Sequence, residues 1–153
     1  MDPVAIIPVD AFTIQGDPAI GALLAEYALE ARIDGLPEPN PQWSTYNALE
    51  RAGALQCFAA YIGESLVGFL ALVCSENPHY GRVIGAVESW FVASAYRGSG
   101  AGMGLLKAAE RMARSRGAVG MLVAARPDSR VADVLPRSGY GLGESMFFKP
   151  MGA

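Results

Sequence analysis

Cysteine and histidine, the usual builders of metal centres and disulfide frameworks, are almost missing: two cysteines and one histidine in 153 residues. Cys57 and Cys74 sit in separate apolar runs with no C-x-x-C spacing. That excludes a zinc ribbon and a disulfide scaffold, and both residues read as reduced core thiols; no metal is expected. Long hydrophobic runs are missing too. Stretches such as Val67 to Cys74 fall well short of the roughly 20 residues needed to cross a bilayer. Met1-Asp2-Pro3 lacks the basic start of a leader, so the expectation is a cytoplasmic protein with no membrane partner. Nor is there a basic excess, and a net charge of −3 argues against nucleic acid. The length leaves room for one domain, 1–153, and a hydrophobic content of 52% supplies its core.

The charges are unevenly placed. Residues 1–96 carry three arginines against eleven carboxylates, a net of −8. Residues 97–137 carry eight cations, from Arg97 to Arg137, against Glu110, Asp128 and Asp133, a net of +5. One economical reading is a molecule that meets a polyanionic ligand with its second half and a neutral or cationic one with its first. Clustering on solvated helix faces is the alternative.

Along the chain, Val4 to Val9 reads as a strand, rich in β-branched residues. Asp17 and Pro18 suit the cap and first position of a helix running to about Gly35. The prolines at 37, 39 and 41 enforce a stiff loop. Ser44 can cap a short helix that stops at Gly53. Cys57 to Ile62 and Ser65 to Cys74 form a hairpin around Gly63-Glu64. Ser75 to Arg82 is a turn, and Val83 to Ala93 is a further strand. After a glycine cluster, Leu105, Leu106, Ala109, Met112 and Ala113 make one face of an amphipathic helix. Ala118 to Ala125 reads as a strand covered on both faces. Pro127-Asp128-Ser129 opens a helix ending at Gly139, and Glu144 to Lys149 fits a last strand.

The informative stretch is Arg97-Gly98-Ser99-Gly100-Ala101-Gly102-Met103-Gly104, set between strand and helix. A helix start presents unpaired amide hydrogens and the positive end of the backbone dipole, and glycines let phosphates approach closely. An anion is the natural ligand. The loop lacks the glycine-lysine-serine or threonine ending of a Walker loop, because Lys107 follows Leu106 and precedes Ala108. It also lacks the third glycine of a dinucleotide fingerprint. A glycine turn that serves only tight packing of helix on sheet is the competing reading.

What the stretch does match is arginine-x-x-glycine-x-glycine after a strand ending Glu88-Ser89-Trp90-Phe91-Val92. This resembles the coenzyme A loop of the GCN5-related N-acetyltransferase (GNAT) superfamily, and the order of elements from about residue 4 to 150 is similar too. Within that family the strand and loop are similar to polyamine-type members, and the compact layout to small phage-type members. The resemblance implies an α/β fold with a mixed, mostly antiparallel central sheet and flanking helices, in the order β-α-α-β-β-β-α-β-α-β. It also implies acetyl-coenzyme A as acyl donor, its pyrophosphate cradled by Arg97, Gly98, Ser99, Gly100, Ala101, Gly102 and Met103. Free strand amides at Phe91 and Val92 would hold the acetyl carbonyl, and Asp128 would contact the pantetheine arm. Members are often dimers, so a homodimer is compatible with the resemblance.

Acetylating an amine requires a neutral nucleophile, a stabilised oxyanion and a proton for the departing thiolate. Glu88, four residues before Val92 and expected on the face of Trp90 and Val92, is the candidate general base; a surface carboxylate is the other reading. Many members carry a tyrosine four residues before the glycine that ends the penultimate helix. Counting back from Gly139 gives Leu135, which cannot donate a proton. Tyr140, Ser138, His79 or a water are the candidate substitutes, with a core tyrosine and a surface imidazole as the other readings of Tyr140 and His79, or the thiol leaves unassisted. Acceptor choice falls to the loops around Ile33 to Ser44, with Trp43, and Glu76 to Tyr80, whose acids favour a cationic amine. The expected activity is N-acetylation of a primary amine on a small molecule or peptide. A non-catalytic acyl-coenzyme A binding module is the competing class.

Overall fold

The computed structural model describes residues 1–152. One five-stranded sheet organises the chain, in the spatial order β1 (Val4–Val9), β2 (Leu55–Ile62), β3 (Ser65–Asn77), β4 (Arg82–Val92) and β5 (Met121–Leu122). The first three pairings are antiparallel and the β4–β5 pairing is parallel, so the mixed, mostly antiparallel sheet is as expected. Pro8 is tolerated inside β1 because that strand is an edge, where a missing amide donor breaks no second ladder.

Three helices, α1 (Ala11–Gln15), α2 (Ile20–Glu30) and α3 (Trp43–Arg51), cover one face. Ala11, Ile14 and Leu23 bury there against Leu55, Phe69 and Phe91. The amphipathic α4 (Ala101–Ser115) covers the other face, packing Leu105, Ala109 and Ala113 onto Val67, Leu70 and Leu72. Gly104 lets α4 lie close, since a Cβ at that position would sit 2.9 Å from Ile6 Cγ1. A last helix, α5 (Arg130–Arg137), is capped by Ser129, whose Oγ accepts from the Ala132 amide at 3.2 Å.

Several expectations are corrected. The expected helix from Asp17 and Pro18 is α2, and a short helix that the pattern did not reveal, α1, precedes it. Asp10 caps α1 by accepting from the Thr13 amide at 2.8 Å, while Asp17 holds the Ala19 amide at 2.9 Å one step before α2. The second helix ends at Glu30, and the next begins at Trp43 after Gln42, without a side-chain cap from Ser44. Ala118 to Ala125 contracts to the two residues of β5, and Leu122 is 61% exposed rather than covered. Glu144 to Lys149 forms no strand. Nothing in the sheet pairs with it, and Met146 and Phe147 stand exposed. Among the described residues no helix is long and apolar enough to cross a membrane.

Candidate functional site

Halfway along β4 the register slips by one residue: Ala71 pairs with Ser89 and Leu72 with Val87, leaving Glu88 as an extra residue. A bulge turns two successive side chains to one face and reverses the alternation beyond it. Val83 and Val87 pack on the α4 side below the bulge, and Trp90 and Val92 pack on that same side above it. Glu88 and Ser89 both line a cavity on the α3 side. Glu88 therefore does not share a face with Trp90 and Val92, as simple alternation predicts.

Beyond the bulge β4 runs without a second neighbour, because β5 pairs with it only at Gly85 and Ala86. The Ala93 amide donates to Val67 O at 2.9 Å. By the alternation of an antiparallel ladder, the amides of Phe91 and Ala93 then face β3, and those of Trp90 and Val92 face the open side. The Phe91 amide is thus turned to β3, and the amides on the open side are those of Trp90 and Val92.

A cavity of about 410 Å³ opens on that side. Its walls are Trp90, Phe91 and Val92, the glycine loop, and Ser129, Arg130, Val131 and Val134 at the start of α5. Within the loop the amides alternate between internal and outward use. Arg97 N donates to Ser94 O at 3.3 Å, Ser99 N to Tyr96 O at 3.2 Å, and Ala101 N to Ser99 Oγ at 3.2 Å. The amides of Gly98, Gly100, Gly102 and Met103 have no protein partner among the described residues. Gly98 and Gly100 make the alternation possible through φ values of +91° and +92°, with open space where a side chain would project. Four donors converging at the start of α4 fit a diphosphate. Arg97, Ser99 and Ala101, expected to lend amides, spend them inside the loop.

Arg97 instead fastens the loop to α2 and β4. Its Nε donates to Val92 O at 3.0 Å, its guanidinium pairs with Glu30 at 2.7 Å, and it lies 5.4 Å from the Phe91 ring centre. Glu26, one turn earlier, accepts from the Ser94 amide at 2.7 Å, and these bonds hold its carboxyl below the usual carboxylate range.

A second cavity, about 380 Å³, lies between α2, α3, the 39–42 loop and the sheet, with Glu88 at its β4 end. The Tyr46 hydroxyl donates to Glu88 Oε1 at 2.7 Å. Burial, then that bond, pushes the Tyr46 phenol far up, so it stays a donor. Tyr27 stands edge-on to Phe69 and Phe91 at 5.8 and 5.6 Å, and Trp43 packs on Tyr46 at 5.8 Å. Cys57 is on the floor, and burial raises its thiol to about 12, which removes it as a nucleophile.

Other expected residues fall elsewhere. Tyr140 lines neither cavity. Burial and the neighbouring Glu110 of α4 raise its phenol to about 12. Asp128 is exposed and lines neither cavity, whereas its neighbour Ser129 lines the first. His79 sits in the β3–β4 turn, its amide bonded to Asn77 Oδ1, and Ser138 Oγ donates to Val134 O at 3.2 Å. Leu135 is 7% exposed, a core residue. Glu30, Tyr27, Tyr46, Arg130 and Trp90 are site residues that sequence reasoning missed. Only the helical recurrence of Ile20, Leu23, Leu24 and Tyr27 hints that Tyr27 faces inward.

Comparison with known proteins agrees with this architecture. The chain superposes on a ribosomal-protein-alanine N-acetyltransferase from Brucella melitensis (TM-score 0.70, 18% identity, 96% of this chain and 97% of that one). It also matches an aminoglycoside acetyltransferase from an uncultured soil metagenomic sample, solved with sisomicin (TM-score 0.72, 15% identity, 97% of each chain). A third match is AAC(6')-Iy, solved with the bisubstrate analog CoA-S-monomethyl-acetylneamine (TM-score 0.69, 16% identity, 98% of this chain and 99% of that one). At these identities the likeness shows the fold alone. No curated protein matches the sequence. Residues 20–140, most of the chain, match the model of the Acetyltransferase (GNAT) family, and the chain belongs to that family.

Proposed function

We propose that this protein moves an acetyl group from acetyl-coenzyme A to a primary amine. The observation that carries the reading is that two cavities line consecutive stretches of β4, one at Trp90, Phe91 and Val92 and the other at Glu88 and Ser89 of the bulge. One is lined by free amides suited to a diphosphate, and the other ends on a carboxylate. The solved complex of AAC(6')-Iy with a coenzyme A bisubstrate analog on the same fold supports the donor. Acetyl-coenzyme A supplies an activated thioester. Gly98, Gly100, Gly102 and Met103 hold the phosphates through their amides, with Arg130 beside them adding positive charge. The outward amides of Trp90 and Val92 donate to the acetyl oxygen as charge develops there.

Glu88 takes the ammonium proton through the oxygen that Tyr46 leaves free, and the neutral amine then forms the new N–C bond as the C–S bond breaks, its second proton passing through solvent to the departed thiolate. With Leu135 where the family commonly has tyrosine, the thiolate departs without a dedicated acid, as its low basicity allows. That leucine also gives the binding-module reading its footing. Thiol release with an amine panel separates the two. We expect turnover in the wild type, and in Glu88→Gln a fall of about a hundredfold in kcat with acetyl-coenzyme A affinity retained. Tight binding with no thiol released on any amine would establish the binding module. Protection from thermal unfolding by ATP or NAD, but not by acetyl-coenzyme A, would overturn both.

A further inference from the structure

The second cavity has an uneven chemistry. Glu88 is the one charged residue lining it among the described residues, and it stands at the end nearest the cofactor cavity. Away from Glu88 the lining is mostly aromatic and aliphatic, with Tyr27, Trp43, Leu24, Leu49 and Phe69 and with Leu55 and Cys57 each 3% exposed; its other polar members, such as Asn40, Gln42 and Thr45, are uncharged. The volume, about 380 Å³, is at the small end of the roughly 300–1,000 Å³ typical of small-molecule sites.

We infer that the acceptor is a monoamine carried on an aromatic or bulky apolar body of about one ring, a conclusion that rests on the acetyltransferase reading above. The ammonium is recognised at Glu88, whose Oε1 is held by the Tyr46 hydroxyl at 2.7 Å. The body then points away from the cofactor cavity into the apolar box, where its burial supplies affinity. Once the first ammonium has taken Glu88, a second has no carboxylate to meet. A polyamine or aminoglycoside must either leave its remaining cations uncompensated against apolar walls or forgo the box. No other carboxylate of the first half lines this cavity. Glu50 accepts from the Ala11 amide at 2.7 Å, and Glu26 and Glu30 are committed to Ser94 and Arg97. None of the three lines this cavity.

The full-length chain should be assayed for thiol release with 2-phenylethylamine, spermidine, kanamycin and a free-amino peptide beginning Ser-Ala. The thermal shift from each amine should be measured alongside in the presence of coenzyme A. The expected result is a kcat/KM for 2-phenylethylamine at least about a hundredfold above the other three. A rise in Tm should come from that amine alone, and Glu88→Gln should abolish it. Spermidine, kanamycin or the peptide equalling or exceeding 2-phenylethylamine would overturn the inference while leaving acetyl transfer standing. No thiol from any amine, with acetyl-coenzyme A still protecting the fold, would overturn the acetyltransferase reading and this inference with it.

Discussion

Gly100 and Gly102 are two residues apart and do different work, which makes them a matched pair. Gly100 caps α4 at φ +92°, a conformation that costs a side-chain-bearing residue about 1–2 kcal/mol, whereas Gly102 lies within α4 without positive φ. Gly100→Ala should lower unfolding free energy by about 1 kcal/mol and weaken acetyl-coenzyme A roughly tenfold by tilting one phosphate donor away. Gly102→Ala should leave stability equal or higher. Urea melts and calorimetric titration read both effects, and equal destabilisation by the two variants would refute the account. Glu26 gives a pH-dependent counterpart. Its folded-state pKa is depressed chiefly by its bonds to Ser94. Its stabilisation is therefore fully present above the unfolded carboxylate range and is lost as pH falls through the lowered value. Glu26→Gln should flatten the acid side of the Tm–pH curve below about pH 5 and leave the curve's slope unchanged above pH 7.

At the scale of elements, what the sequence revealed follows from where its signals are local. The strands β2 to β4, the Gly63-Glu64 turn and α4 carry their own periodicity and turn chemistry, and all stand close to where the pattern puts them. Ala118 to Ala125 and Glu144 to Lys149 carry strand-like residues too, but a strand also needs a partner ladder, and neither run finds a full one. The same limit applied at the site. The glycine loop was legible because its amides follow from local backbone geometry. The face of Glu88 was not, because a one-residue bulge depends on the pairing between two strands and reverses every side chain beyond it. Tyr46 and Tyr27 reach the site only because α2 and α3 fold over the sheet. The most legible helix is also the most testable. Leu105 is fully buried between α4 and the sheet, so Leu105→Ala should cost about 2–5 kcal/mol in denaturant melts with the m-value unchanged. A loss under 1 kcal/mol would mean that α4 is not the lid of this core.

For the molecule as a whole, the division of charge along the chain maps onto a division of cavities. The first half, net −8, supplies most of the cavity that ends on Glu88, and the net +5 segment from Arg97 to Arg137 supplies the glycine loop and Arg130. The map is not perfect. Glu30 of the acidic half lines the cofactor cavity, yet its charge is neutralised by Arg97 at 2.7 Å, so the field there is left to the basic segment. Opposite fields over adjoining cavities would draw an anionic donor and a cationic acceptor to their own sides and lower the chance of either occupying the other's place. Because surface fields decay over a Debye length of about 10 Å at 0.1 M salt, both attractions should weaken together as salt rises. Stepping sodium chloride from 20 to 500 mM should raise the acetyl-coenzyme A Kd and the KM for a cationic amine several-fold each, with kcat little changed. Dephospho-coenzyme A, carrying less charge, should show the shallower salt dependence. If the Kd for acetyl-coenzyme A does not move with salt, the arginines of the second half do not contribute to the field its phosphates feel, and neutral backbone donors alone hold the diphosphate.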